Sequence, residues 1–450
     1  MIPLRPVSVD GLQEWKVSAA PAQKTWVEES AFNAAAGQFC ALPGDTGSVA
    51  GWLSGMAKDG WLYQLAALPP ALPAGIYRLD CDWTREQRLQ ACLGWGLAAY
   101  RFERYKVNGK ARPLLLLDDD IAGDVRALCA AQTLVRDLVN TPTEHMGPAE
   151  LADAVMREAD AHDDAEYSVV TGDDLLTDNF PAIHAVGRAS SRAPRLVELT
   201  WGDADAPLLC LVGKGVCFDT GGLDLKTASG MALMKKDMGG AAHALALARL
   251  VMRHRLPVRL QLLIPAVEIA VAGNAYRPGD VIGTRKGLLV EIGNTDAEGR
   301  VVLSDALAYA CEGSPDLVID FATLTGAARV ALGADLPPRF GNRAAVAQGV
   351  AQGIQQAGDE VEDPLWTMPL WQPYRKQIES PLADLNNSSK SSYGGCITAA
   401  LFLESFVEPE TPWVHIDTFA WNEANRPGRP MGGEALGLRA VFRYLQARYA

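Results

Sequence analysis

Leu288-Leu289-Val290-Glu291-Ile292-Gly293-Asn294-Thr295-Asp296-Ala297-Glu298-Gly299-Arg300-Val301-Val302-Leu303-Ser304-Asp305-Ala306-Leu307-Ala308-Tyr309-Ala310-Cys311 changes periodicity halfway along. The run from Leu288 to Gly293 is apolar and of strand type, whereas from Val301 apolar residues recur at helical spacing. Asn294 to Arg300 therefore forms a strand-to-helix turn. Residues two apart on extended chain face the same way, so Asp296, Glu298 and Arg300 are expected to point into one space. Two carboxylates on one face repel unless something positive lies between them, and a metal is the natural candidate. Arg300, where helix N–H groups are unpaired, favours a bound anion nearby. The plainer reading of a lone Asp-x-Glu is a polar helix cap. The rest of the chain decides against it.

Upstream, the apolar strand Leu208 to Val212 runs into a glycine-rich loop carrying Lys214, Asp219 and Lys226. Asp237 follows at the mouth of a helix beginning near Gly239 or Gly240. Together, this loop and the unbroken Asn-Thr-Asp-Ala-Glu-Gly-Arg of 294–300 closely resemble the leucyl aminopeptidase (cytosol aminopeptidase, M17) family. The resemblance extends to 93–102, 136–148, 383–387, 394–400 and 413–417, so it covers roughly residues 90 to 445 and is strongest from 210 to 330.

The resemblance implies a ligand set. Lys214, Asp219, Asp237 and Glu298 would hold one divalent metal, and Asp219, Asp296 and Glu298 a second. Zinc or manganese, with magnesium also admitted, suits carboxylate oxygens plus one amine and no thiolate. The implied activity is a two-metal aminopeptidase releasing leucine and other amino-terminal residues from peptides, by metal-hydroxide attack on the scissile carbonyl. Lys226 would stabilise the oxyanion, and Arg300 would hold a bicarbonate that serves as general base. A homohexamer of two stacked trimers is also implied. Another two-metal hydrolase, such as a phosphatase, explains Lys214 and Lys226 less well, and a DNA-binding or chaperone role does not need an intact ligand set.

The first-residue pocket departs from the family. Met234, Thr323 and Gly326 match its leucine-accepting pattern, but Phe419 stands where a small residue is usual and Asn422 where an apolar one is. Leucine is then expected to be accepted with less advantage over smaller or polar residues. His145 is not expected to ligate, because the implied set is complete without histidine, and His243 and His415 are expected to be packed or helix-borne rather than ligands.

The remaining chain sets the frame. Its 450 residues are 48% hydrophobic and 21% charged, ordinary for a globular protein of two or more domains. A small amino-terminal α/β domain is expected over 1–122, a connecting helical segment over 123–164 and a larger catalytic domain over 165–450. In the first, Trp61 to Leu68 and Leu114 to Leu117 suggest strands, and Thr84 to Tyr105 a helix capped by Thr84. From about 165, strands and helices alternate, which predicts a mostly parallel sheet flanked by helices, with the site beyond its carboxyl edge. Lys214 and Asp296 each follow a strand and should meet at that edge. A net charge of −13 argues against a general nucleic-acid-binding surface. No apolar run reaches membrane-spanning length. Met1 to Lys16 lacks signal-peptide character, and the eight cysteines form no Cys-x-x-Cys pair, so a cytoplasmic location is expected.

Overall fold

The computed structural model describes residues 1–44, 47–107 and 109–450. The chain divides into two units, Met1–Thr133 with Glu423–Met431, and Leu134–Asn422 with Gly432–Ala450. The boundary at Thr133 falls inside a single helix, Asp119–Asn140.

The first unit is a five-stranded sheet. Its strands are β1 (Ile2–Val7), β2 (Phe39–Pro43), β3 (Val49–Gly55), β4 (Gly75–Leu79) and β5 (Pro113–Leu116), ordered β2-β3-β1-β4-β5. The helix Arg85–Ala99 begins as expected: Thr84 accepts from the Gln87 amide, and Gln87 reaches back to the Thr84 amide. It ends six residues before Tyr105. Beyond it the chain is a loop in which Arg101 donates to the Lys110 carbonyl at 3.0 Å and Arg112 pairs with Glu103 at 2.6 Å. Trp61 to Leu68 is not a strand but a series of turns that buries Leu62 and Leu65. Within it the amides of Gln64, Ala66 and Leu68 bond the carbonyls of Trp61, Tyr63 and Leu65, and the Gln64 side chain ties the turn to the preceding loop through the Ala57 amide and the Ala57 and Gly60 carbonyls.

The second unit holds the larger sheet. Its strands are β6 (Glu166–Thr171), β7 (Arg195–Trp201), β8 (Leu208–Gly213), β9 (Gly215–Phe218) and β10 (Arg259–Glu268). Two short strands, β11 (Val281–Gly283) and β12 (Leu289–Glu291), precede β13 (Leu317–Ala322), β14 (Pro338–Gly341) and β15 (Trp366–Thr367). Then come β16 (Leu385–Asn386), β17 (Trp413–Asp417), β18 (Trp421–Asn422) and β19 (Gly432–Gly433). The large sheet runs β15-β14-β17-β13-β8-β10-β7-β6, with β9 also pairing β10. Its centre, β17-β13-β8-β10, is wholly parallel, and antiparallel pairs appear only outside it. Every residue of β8 and β13 is buried, as for strands covered on both faces.

The covering helices are fixed by the two-residue alternation of β8. Gly213 abuts Ala241 and Ala244 of the helix Gly239–Arg253. Cys210, on the opposite face, meets the Ala310 carbonyl of the helix Glu298–Glu312. The first helix lies close: a Cβ on Gly240 would fall 2.1 Å from the Phe321 carbonyl oxygen.

One expectation changes here. β12 does not belong to the large sheet, because it pairs with β11 and β16 in a separate three-stranded sheet. Asp296 therefore reaches the edge of the large sheet through the helix that follows it, not through the strand before it.

Asp305 locks that helix to its surroundings. Its fully buried carboxylate accepts from the amides of Ala182, Ile183 and Arg285 at 2.8, 3.2 and 2.8 Å. Burial pushes its pKa up to about 7 against the pull of these donors. Asp305→Ala leaves three amides without a partner, each worth about 1–3 kcal/mol. The thermal midpoint should fall by at least about 3 °C, read by differential scanning calorimetry. An unchanged midpoint would remove the carboxylate from this role.

Candidate metal centre

Three strand ends open into one cavity of about 440 Å³. Lys214 follows β8, Thr323 follows β13, and Thr418 and Phe419 follow β17. Asp219 follows β9, and Asp237 lies in the short 3-10 turn Met234–Met238 just before the helix Gly239–Arg253. Glu298 is the first residue of its helix. These groups converge because parallel strands end together on one edge.

The charges interlock. Lys214 places its ammonium 2.7 Å from Asp237 and 2.8 Å from Glu298, and donates to the Thr323 carbonyl at 3.2 Å. Lys226 stands 2.8 Å from Asp219 and also contacts Asp296. Asp219, Asp296 and Glu298 each offer an oxygen within 4.8 Å of the others. The sum is two ammonium groups against four carboxylates, all but Asp296 buried with Lys214 below 4% exposure.

Such an excess cannot be fully ionised as it stands. Burial and the neighbouring Asp237 carboxylate raise Asp219 to about 6, and burial with Asp219 raises Glu298 to about 8. Burial also raises Asp296. Burial works to lower Lys214, but Asp237, Glu298 and Asp219 overcome it and hold the ammonium above its ordinary range. Two oxygens, Asp237 Oδ2 and Asp296 Oδ1, lie beside ammonium groups yet accept no hydrogen bond from them. The donor set and these open lone pairs fit divalent cations.

The turn carrying Asp296 departs from the extended alternation read in the sequence. Glu298 and Arg300 already lie in the helix, so a tight turn brings Asp296 and Glu298 together. Asn294 accepts from the Asp296 amide at 2.8 Å. Asn387 accepts from the amides of Gly293 and Asn294, and donates to the carbonyls of Asn294 and Ala297. Thr295 joins the turn to the upstream loop: it donates to the Gly221 carbonyl at 2.6 Å and accepts from the Asp224 amide at 2.8 Å. Neither Asn387 nor Asp224 carries a role that sequence spacing reveals.

The other expected residues divide. Met234, Thr323, Gly326 and Phe419 line the cavity. Asn422 is not among the lining residues; it is buried and pairs with Gly432 in the β18–β19 ladder. Arg300 lies behind the carboxylates, donating to the Asn387 carbonyl at 2.8 Å while its Nε has no partner. Burial lowers it to about 10. His243 bridges the Gly239 carbonyl and the Leu436 amide, and His415 pairs with Asp320 at 2.6 Å. Lys236, passed over in the sequence, also lines the cavity, and burial lowers it to about 8. The only sequence cue to it is a second lysine beside Asp237.

Gly299 sets the position of Lys214. A Cβ there would lie 2.4 Å from Lys214 Cε and 2.6 Å from its Nζ. Lys214 is 2% exposed, and its ion pairs with Asp237 and Glu298 hold its ammonium in that place. Gly299→Ala should displace the ammonium and lower kcat/KM for peptides at least about tenfold, roughly 1.4 kcal/mol of barrier. Wild-type kinetics in that variant would show that the space is not shared.

Comparison with known proteins follows this geometry. A profile described as "Cytosol aminopeptidase family, catalytic domain" matches residues 133–442, and one described as "M17 aminopeptidase, N-terminal domain" matches 2–118. The fold and these matches make the chain a metallo-exopeptidase, a hydrolase. It belongs to the cytosol aminopeptidase family, whose members depend on metal. A probable cytosol aminopeptidase of Roseiflexus castenholzii is 38% identical over 78% of this chain and 74% of its own. Peptidase B of Pectobacterium carotovorum is 42% identical over 69% and 72%. The crystal structure of a cytosol aminopeptidase from Coxiella burnetii is 49% identical with a TM-score of 0.96, covering 100% of this chain and 98% of that one. The bottromycin maturation enzyme BotP in complex with Mn is 32% identical with a TM-score of 0.89, over 100% and 99%.

Proposed function

We propose that this protein is a two-metal aminopeptidase that removes single residues, leucine among them, from peptide amino termini. The observation that carries this reading is the buried excess of four carboxylates over two lysines at the carboxyl edge of the sheet. Asp219, Asp296 and Glu298 would hold one divalent cation, and Lys214, Asp219, Asp237 and Glu298 the other, with zinc or manganese the best match to the donors. When bound, the cations supply polarisation of the scissile carbonyl and a water acidic enough to attack at neutral pH. Lys214 can ligate only as the neutral amine. Neutralising the carboxylates by metal would free Lys226 from its two partners, leaving its ammonium beside the developing oxyanion. The unpaired Nε of buried Arg300 suits an anion such as bicarbonate, which would supply a general base where no side chain is placed for one.

Assembly and compartment complete the reading. The eight cysteines are all free, in keeping with a reducing cytoplasm. Trp366, Trp371, Leu382 and Tyr393 expose more than half of their surface on the catalytic unit, which supports burial between subunits of a homohexamer. Light scattering should give six times 48.2 kDa, and a stable 48.2 kDa monomer would overturn the assembly.

The chemistry is tested by substitution and metal removal. A chelator should abolish hydrolysis of leucyl amide, with recovery on adding zinc or manganese. Asp296→Ala or Glu298→Ala should do the same without recovery; retention of a tenth of wild-type activity, about 1.4 kcal/mol of barrier, would sink the assignment. Lys226→Ala should lower kcat while leaving metal content intact by elemental analysis. If metal is lost with it, Lys226 is structural instead.

A further inference from the structure

The four cationic side chains lining the cavity divide into two kinds. Lys214 and Lys226 are each held between two carboxylates. Lys236 and Arg329 are not: among the described residues no carboxylate forms an ion pair with either, and neither donates a side-chain hydrogen bond. What they meet is Phe419. The Arg329 guanidinium stands 4.2 Å and the Lys236 ammonium 5.2 Å from the centroid of its ring. Lys236 is 97% buried, since only 3% of its surface is exposed. A buried ammonium without an anion is unfavourable, and the face of a ring offsets only part of that.

The lining carboxylates around them are already engaged. Asp417 is committed to the wall itself, accepting from the amides of Leu324 and Thr325 at 3.0 and 3.2 Å and from the Thr325 hydroxyl at 2.7 Å. Asp237, next to Lys236 in the chain, accepts from the Thr323 hydroxyl and faces Lys214. One end of the cavity therefore carries positive charge in search of an anion, beside Met234 and Thr323.

We propose that Lys236 and Arg329, set over Phe419 in the pocket wall, read a carboxylate on the first side chain of the substrate, so that the enzyme favours glutamyl and aspartyl peptides. The inference rests on the aminopeptidase reading and names the substrate class of that same site. A first side chain ending in a carboxylate places its charge at the wall while its methylenes lie along the ring. Arg329 provides a planar fork suited to two carboxylate oxygens, and Lys236 a point charge. A neutral amide of the same shape meets the same wall without the charge, and a basic first residue meets repulsion.

The test compares near-isosteric substrates on the metal-loaded enzyme. Values of kcat/KM are measured for glutamyl, glutaminyl, leucyl and lysyl amides at one pH and low salt. The glutamyl-to-glutaminyl ratio should be at least about tenfold, with the lysyl amide the poorest of the four. Lys236→Met, which keeps length and burial, and Arg329→Gln, on an exposed helix position, should each bring that ratio several-fold closer to one. Lys236→Arg should restore it. Because the ratio is taken within each variant, losses of folding or metal cancel. A wild-type ratio of one or below, or a ratio unchanged in both neutral variants, overturns the proposal. Failure of the metal-loaded wild type to hydrolyse even the leucyl amide would instead strike the aminopeptidase reading.

Discussion

Negative charge packed without enough positive charge is the constraint on which the catalytic unit depends. Among the described residues, Asp219, Asp237, Asp296 and Glu298 form ion pairs with Lys214 and Lys226 alone, and water reaches little of the cluster. Carboxylates in such a place either take up protons or gather cations. The rise of Glu298 to about 8 expresses the first outcome, and the open oxygens of Asp237 and Asp296 provide for the second. That these groups are gathered at all is a sacrifice of stability, and such sacrifices are concentrated at functional sites.

The rest of the unit holds those charges at fixed separations. Parallel strands bring Lys214 and Thr323 to one edge, and the hydrogen bond from the Lys214 amide to the Phe321 carbonyl ties adjacent strand ends together. The two loops carrying the carboxylates are tied to each other by Thr295 and Asp224, and Tyr276 donates to the Thr295 carbonyl from a fully enclosed position. Asn387 supports the same turn from β16. Each of these contacts spends a polar group on backbone rather than on a carboxylate. The turn is thereby fixed without drawing on the carboxylates of Asp296 and Glu298.

What could be read from the sequence followed from local periodicity and from residue types that few other sites use. The change of period at 294–300 located the helix Glu298–Glu312, and the apolar runs at 208–212 and 195–201 gave strands nearly to the residue. The loop carrying Lys214, Asp219 and Lys226 pointed to the same cavity as Asp296. The failures were of two sorts. Trp61 to Leu68 has strand composition, but its amides bond carbonyls three residues back as turns and the Gln64 side chain anchors them to Ala57 and Gly60, which no window of residues reveals. Asn387 and Asp417 lie some ninety residues from the segments they organise, so nothing in their local sequence distinguishes them. Asn422 and Phe419, three residues apart, divide at β18: Phe419 lines the cavity, whereas Asn422 pairs with Gly432 in a ladder and is not among the lining residues.

That last contrast bears on how selectivity is built. The carboxylate cluster draws on the β8–β9 region and the 294–300 turn, and Asp417 holds the Thr323–Thr325 wall with backbone and hydroxyl donors. Lys236 and Arg329 each lie over the Phe419 ring in the cavity wall and, among the described residues, form no ion pair with the cluster. A change of charge at Arg329, on its exposed helix, therefore removes no partner from any described carboxylate. The structure shared with BotP at 32% identity shows how much of the sequence can change while the backbone persists. In a scaffold of this kind, chemistry resides in a charge balance that tolerates few exchanges. Preference resides in a wall whose residues can be exchanged one at a time.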